Sequence, residues 1–208
     1  MKNFTLTILA LFIVSLLSAQ GKYEAGMDQA FELWKSKKGG EAIALFERIG
    51  NAATDNWIPI YHAANFTIAE SLETEDKKLR FNKLKKAEEL IAEAHKRSPE
   101  NSEITTLEGM LYTGYVAADP GKYGMLYSQK IMELHYKAIK LDPDNPRARA
   151  NSLQYEMGTA RFFGEDLAPY CKKMQEVLPM FDKQKSEVPY APSGGKKMVE
   201  NTIAQCNG

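Results

Sequence analysis

Three histidines, two cysteines and one glycine–lysine cluster are the groups in this 208-residue chain with the clearest chemical scope. His62, His95 and His135 stand far apart. None has a second ligand at i+4, the spacing that sets two imidazoles on one helix face around a metal. Each reads as a packed or solvated side chain. Gly194-Gly195-Lys196-Lys197 faintly resembles a phosphate loop, but Tyr190 stands where that loop needs its first glycine, and no strand precedes it. No Gly-x-Ser-x-Gly elbow occurs. Glu73-Thr74-Glu75-Asp76 reads as a hydrated loop and a favourable helix start. The densest cationic group, Lys77, Lys78, Arg80, Lys83, Lys85 and Lys86, reads as a solvated helix face. With no nucleophile–base or acid–base arrangement in view, the expectation is a binding protein, not an enzyme, with no cofactor and no metal.

Composition agrees with that reading. Lys+Arg and Asp+Glu both number 27, which removes the basic stripe of a nucleic-acid binder and any acidic tail. Two cysteines cannot build a disulfide scaffold or a four-cysteine metal site. Met1-Lys2-Asn3, the apolar run Phe4 to Leu17 and the small residue Ala19 have the layout of a secretory signal peptide cleaved after Ala19. The run is short of the roughly 20 residues a retained anchor needs. No nearby cysteine offers a lipid site. The mature chain, near neutral, is expected in the periplasm or outside the cell.

The elements that must position any site are helices. Ala42, Phe46, Ile49 and Ala53 recur at helical spacing, as do Leu84, Ala87, Ile91 and Ala94. Tyr127, Ile131, Leu134, Ala138 and Leu141 form a third stripe. No alternating β-branched run or Asn-Gly turn suggests a strand. Lys38-Gly39-Gly40, Arg97-Ser98-Pro99-Glu100-Asn101 and Asp142-Pro143-Asp144-Asn145-Pro146 read as helix stops. The fold class is all-α.

Two of these stops are near-copies. Ala94-His95-Lys96-Arg97-Ser98-Pro99-Glu100-Asn101 and Ala138-Ile139-Lys140-Leu141-Asp142-Pro143-Asp144-Asn145 repeat one pattern. It resembles the tetratricopeptide repeat, a pair of antiparallel helices ending in a proline-marked turn. The resemblance covers roughly residues 23 to 185. It places Ala30, Ala64 and Gly109 at the small position of successive first helices, with Tyr112 three residues after Gly109. Ala42 and Ala87 take the small position of second helices. It implies a short helical-hairpin solenoid of about four repeats over residues 20–188, followed by a C-terminal loop and capping segment over 189–208. After Ala64 and after Gly109 the second helix arrives late, through Glu73 to Lys78 and Asp119 to Gly124. Loops on one edge of the array are expected there. Pro146 to about Gly164 and Leu167 to Lys185 read as the last pair, and Lys196 to Gln205 as a final helix.

The resemblance also implies a concave surface lined by first helices. Carried over residue by residue, its groove positions are Met27, Phe31, Trp34, Tyr61, Asn65 and Met110. Phe31 and Trp34 serve equally well as core. A clamp for a C-terminal carboxylate is excluded, because only Asn65 fits and Tyr61 stands four residues before it. The main functional expectation is an adaptor that binds a segment of another envelope protein or peptide in this groove. The alternative is a carrier of a small molecule or glycan, motivated by Trp34, Tyr61, Tyr112 and Tyr115. Cys171 and Cys206 lie on the apolar stripes of the last pair and of the cap. An intramolecular disulfide is expected there, with two free thiols as the alternative. Its loss is expected to weaken mainly the C-terminal unit.

Overall fold

The computed structural model describes residues 20–184 and 186–206. The expected signal peptide lies outside them. Among the described residues there is no strand, and the chain is all-α. The first helix, α1, covers 20–35. It is followed by α2 (Gly39–Ala52), α3 (Ile58–Glu73), α4 (Lys77–Arg97), α5 (Ser102–Ala118) and α6 (Pro120–Leu141). The last elements are α7 (Pro146–Phe163), α8 (Ala168–Val177), the single turn α9 (Met180–Lys183) and α10 (Lys196–Cys206). Within the described residues no helix is long and apolar enough to cross a membrane.

The helices pair as antiparallel hairpins, α1 with α2, α3 with α4, α5 with α6 and α7 with α8. Each hairpin then leans on the next: α2 on α3, α4 on α5 and α6 on α7, while α3, α5 and α7 adjoin one another. The stripes read from the sequence are the faces that make these contacts. Ala42, Phe46, Leu84, Ala87, Ile91, Ala94, Ile131 and Ala138 are all buried. Small residues set how closely the helices approach. Gly109 is the clearest case, because a Cβ there would lie 2.8 Å from the His135 ring on α6. A second core joins α7, α8 and α10 through Ala150, Leu153, Met157, Met174, Val177 and Val199.

The repeated helix stop has a local cause. The Asn101 side chain accepts from the backbone N–H groups of Glu103 and Ile104. The Asn145 side chain does the same for Arg147 and Ala148. Each thus ends one hairpin and caps the first helix of the next. Arg97, which closes α4, reaches sideways to the end of α2. Its Nη1 donates to the carbonyls of Gly50 and Asn56 at 2.8 and 3.1 Å. A cation over unpaired helix-end carbonyls is favourable there.

The expected edge loops are not loops. Only 74–76 separate α3 from α4, and Asp119 alone separates α5 from α6. The extra residues lengthen the helices. The reason is capping: Asp76 accepts from Leu79 N at 2.6 Å, and Asp119 accepts from Lys122 N. Pro120 at the first position of α6 has no N–H to satisfy. The helix expected over Leu167 to Lys185 is instead broken into α8 and α9 at Leu178-Pro179. Proline lacks the donor and crowds the carbonyl four residues back.

After α9 the chain does not stop at the cap. Residues 186–195 form a strap that crosses the ends of the first helices before α10 begins. Tyr190 reaches α1, donating from its hydroxyl to Glu24 O and Asp28 Oδ1. Arg147 on α7 donates to Gly194 O at 3.5 Å. Cys171 and Cys206 form a disulfide with Cα atoms 6.0 Å apart, pinning α10 to α8. The covalent ring so closed contains the strap, which touches the first hairpin through the hydrogen bonds of Tyr190. Loss of the bond, expected to weaken mainly the last unit, would therefore also free the segment that reaches α1. Replacing both cysteines by serine should cost about 3–4 kcal/mol. It should also lower hydrogen-exchange protection in α1 and α3 as well as in α8 and α10. Protection lost in α8 and α10 alone would show that the strap holds without the bond.

Candidate functional site

The six groove residues do not line an open surface. Met27 is fully buried in the core and Tyr61 is 5% exposed. Tyr61 packs edge-on to Trp57 and His62, and burial pushes its hydroxyl well above the ordinary range. Trp34 is half-buried and lies flat on Phe66, with centroids 4.0 Å apart. Asn65 and Met110 are half-buried. Phe31 is half-buried, and Tyr190 covers it in a near-parallel stack at 6.2 Å. The physical reason is the strap. A concave aromatic face that no partner covers would leave apolar area in water, and the C-terminal segment folds back onto it.

His62 lies in the same place and shows why it is not a metal ligand. It is buried, and its Nε2 donates to Tyr190 O at 2.8 Å. Burial, only partly offset by that bond, lowers it to about 4. His135 is buried beside Gly109 with neither ring nitrogen hydrogen-bonded, and burial lowers it to about 4 as well. His95 pairs with Glu108 at 3.1 Å. Among the described residues no cluster of three His, Cys, Asp or Glu side chains could hold a metal.

A second aromatic group is open. The tips of α4, α5 and α6 bring Phe81, Tyr115 and Tyr123 around a pocket of about 600 Å³. The Tyr123 ring lies 5.6 Å from Phe81 and 5.3 Å from Tyr115. Tyr127 stacks parallel on Tyr123 at 5.4 Å, and Tyr112 stands 4.7 Å from Tyr127. Behind them Glu88 accepts from the hydroxyls of Tyr112 and Tyr115 at 3.1 and 3.5 Å. Burial and then this carboxylate push both hydroxyls upward, so they remain neutral donors. Lys77, Lys85 and Lys122 rim the pocket. Lys77 pairs with Asp119 at 2.9 Å, and Lys122 sits 4.8 Å over the Tyr123 ring.

Apolar side chains are also exposed on the helix ends of this edge. Leu79, Met125, Leu126, Phe162 and Phe163 are exposed at the same hairpin-tip edge, Met125 at 97%. Of the four aromatics that motivated a carrier, the structure gathers Tyr112 and Tyr115 here and leaves Trp34 and Tyr61 in the first cluster. Phe81, Tyr123 and Tyr127 were missed. The spacing of Tyr123 and Tyr127 held the signal, hidden because Gly121-Lys122-Tyr123-Gly124 looked like loop sequence. The basic group partly pairs: Lys83 with Glu70, and Lys86 with Glu47 at 2.7 Å.

No family model matches this chain, and no curated protein does. Among solved structures it is similar to the HusA haemophore from Porphyromonas gingivalis, at 19% identity and a TM-score of 0.76. The match covers 88% of this chain and 92% of that one. At this identity the likeness is one of fold.

The two buried histidines set a pH dependence. Folded, both titrate at about 4, whereas unfolded they titrate near 6.5. Unfolding therefore takes up protons between those values. Their contribution is intact above about pH 6.5 and is lost as pH falls toward 4, by up to roughly 3 kcal/mol each. In thermal unfolding followed by circular dichroism, His135→Leu should lose less Tm between pH 7 and 4.5 than the parent does. Parallel profiles would show that His135 is not held neutral.

Proposed function

We propose that this protein is an exported carrier, built on tetratricopeptide-like hairpins, for a flat and largely apolar ligand bearing acidic groups. A tetrapyrrole of the haem class is the first candidate. The observation that carries the reading is the open pocket in which Phe81 and Tyr123 offer ring faces over the nearly buried Tyr115, with lysines at the rim beside Glu88 and Asp119. Its size suits a ligand of that kind. The rings would take up the apolar faces of the ligand, and Lys77, Lys85 and Lys122 would meet its carboxylates. That the structurally similar HusA is a haemophore supports the ligand class. The occupied first-helix groove supports a carrier over an adaptor as the main activity. Export is supported by the pattern of residues 1–19, and a disulfide suits an oxidising compartment.

Haemin and metal-free protoporphyrin should both bind, read by visible absorbance and tyrosine fluorescence. The Phe81→Ala/Tyr123→Ala double variant should weaken binding at least tenfold, a loss of about 1.4 kcal/mol or more. Lys77→Gln/Lys122→Gln should weaken it and flatten its salt dependence. Affinity unchanged by the aromatic double variant would remove the pocket from the reading, and no binding of either porphyrin would end the reading itself.

A further inference from the structure

Tyr190 is held in a way that ordinary packing does not require. Its ring stacks near-parallel to Phe31 and edge-on to Tyr23, with centroids 6.2 and 6.0 Å away. Its hydroxyl proton is shared between Asp28 Oδ1 at 3.0 Å and Glu24 O at 3.2 Å. Its main-chain carbonyl accepts from His62 Nε2 at 2.8 Å. Ring, phenol and backbone of one residue are therefore each read by a separate group on α1 or α3. That is how a recognition site reads a peptide side chain, with few polar groups fixing orientation inside apolar walls.

On the amino-terminal side of Tyr190 the strap contributes little. The hydrogen bonds of 186–189 stay within 186–191, and Val188 is 57% exposed. Tyr190 itself adopts φ +61°, a left-handed backbone that tyrosine rarely takes. The strap bears this strain because it must turn back toward α10. A linear peptide with relaxed backbone would not bear it.

We propose that the box formed by Tyr23, Asp28, Phe31 and His62 is a binding site for a tyrosine-bearing extended peptide segment, filled in cis by the chain's own Tyr190. The site is separate from the pocket at the hairpin tips and does not depend on the carrier reading. The tethered strap competes with any segment supplied in trans, so the parent protein binds such a segment with its affinity reduced by the fraction of strap released.

The test uses the full, oxidised chain with Tyr190→Ala. The variant should have a lower Tm than the parent, and p-cresol should restore Tm in the variant while leaving the parent unchanged. Toluene, which lacks the hydroxyl, should restore less. By calorimetry, acetyl-Val-Pro-Tyr-Ala-amide should bind the variant at least tenfold more tightly than it binds the parent, and more tightly than the Phe-containing peptide. Equal rescue by toluene and p-cresol, or equal affinity for both peptides, would show a plain apolar hole and overturn the proposal. Should Tyr190→Ala not fold, Tyr190→Phe keeps the ring and loses the phenol contacts. The tyrosine peptide should then displace the weakened strap and bind this variant more tightly than the parent, and no gain in binding would overturn the proposal equally.

Discussion

An array of amphipathic hairpins can bury its stripes only hairpin against hairpin, and that leaves the two ends and the concave face without a neighbour. This constraint governs the molecule. The chain meets it by closing on itself. α10 covers the last hairpin and is bonded to it, while the strap covers the aromatic face of the first. Units that would contact only their neighbours in an open solenoid are thereby linked from end to end. The buried Glu103–Arg147 pair belongs to the same solution. Arg147 holds Glu103 through Nε and Nη2 at 2.8 and 2.5 Å, and a third donor touches the strap at Gly194. Asn145 adds a bond to Glu103, so the carboxylate is well satisfied out of water.

Much of this architecture was legible in the sequence, because helical periodicity and caps are local. The stripes from Ala42, Leu84 and Tyr127 mark buried faces, and the Asn101 and Asn145 stops mark where each new hairpin begins. What failed were features that depend on distant chain. Residues Glu73 to Lys78 and Asp119 to Gly124 have loop composition, yet two aspartate caps shorten the real connections to a few residues. The groove assignment failed for a related reason. It counted Phe31 and Tyr61 as lining residues without any means of knowing that Tyr190, 128 residues after His62, returns to cover Phe31, or that Tyr61 packs into the core.

The open pocket illustrates the opposite case. Its rings come from α4, α5 and α6, and no single helix shows a pattern that would single them out. Longer hairpins lift their tips beyond those of the first pair, and the added turns are where Phe81 and Tyr123 project. The residues that looked like insertions thus supply part of the pocket, Lys77, Asp119, Lys122 and Tyr123. Exposed apolar side chains gather at this edge because the added turns have no neighbouring hairpin to pack on.

The strap also orders events in time. The groups of the box on α1 and α3 lie far ahead of their occupant in the chain, His62 by 128 residues. Domains fold from the amino end as synthesis proceeds, at roughly 5–20 residues per second. Until residue 190 has joined the fold, that aromatic face has nothing of the chain's own to cover it.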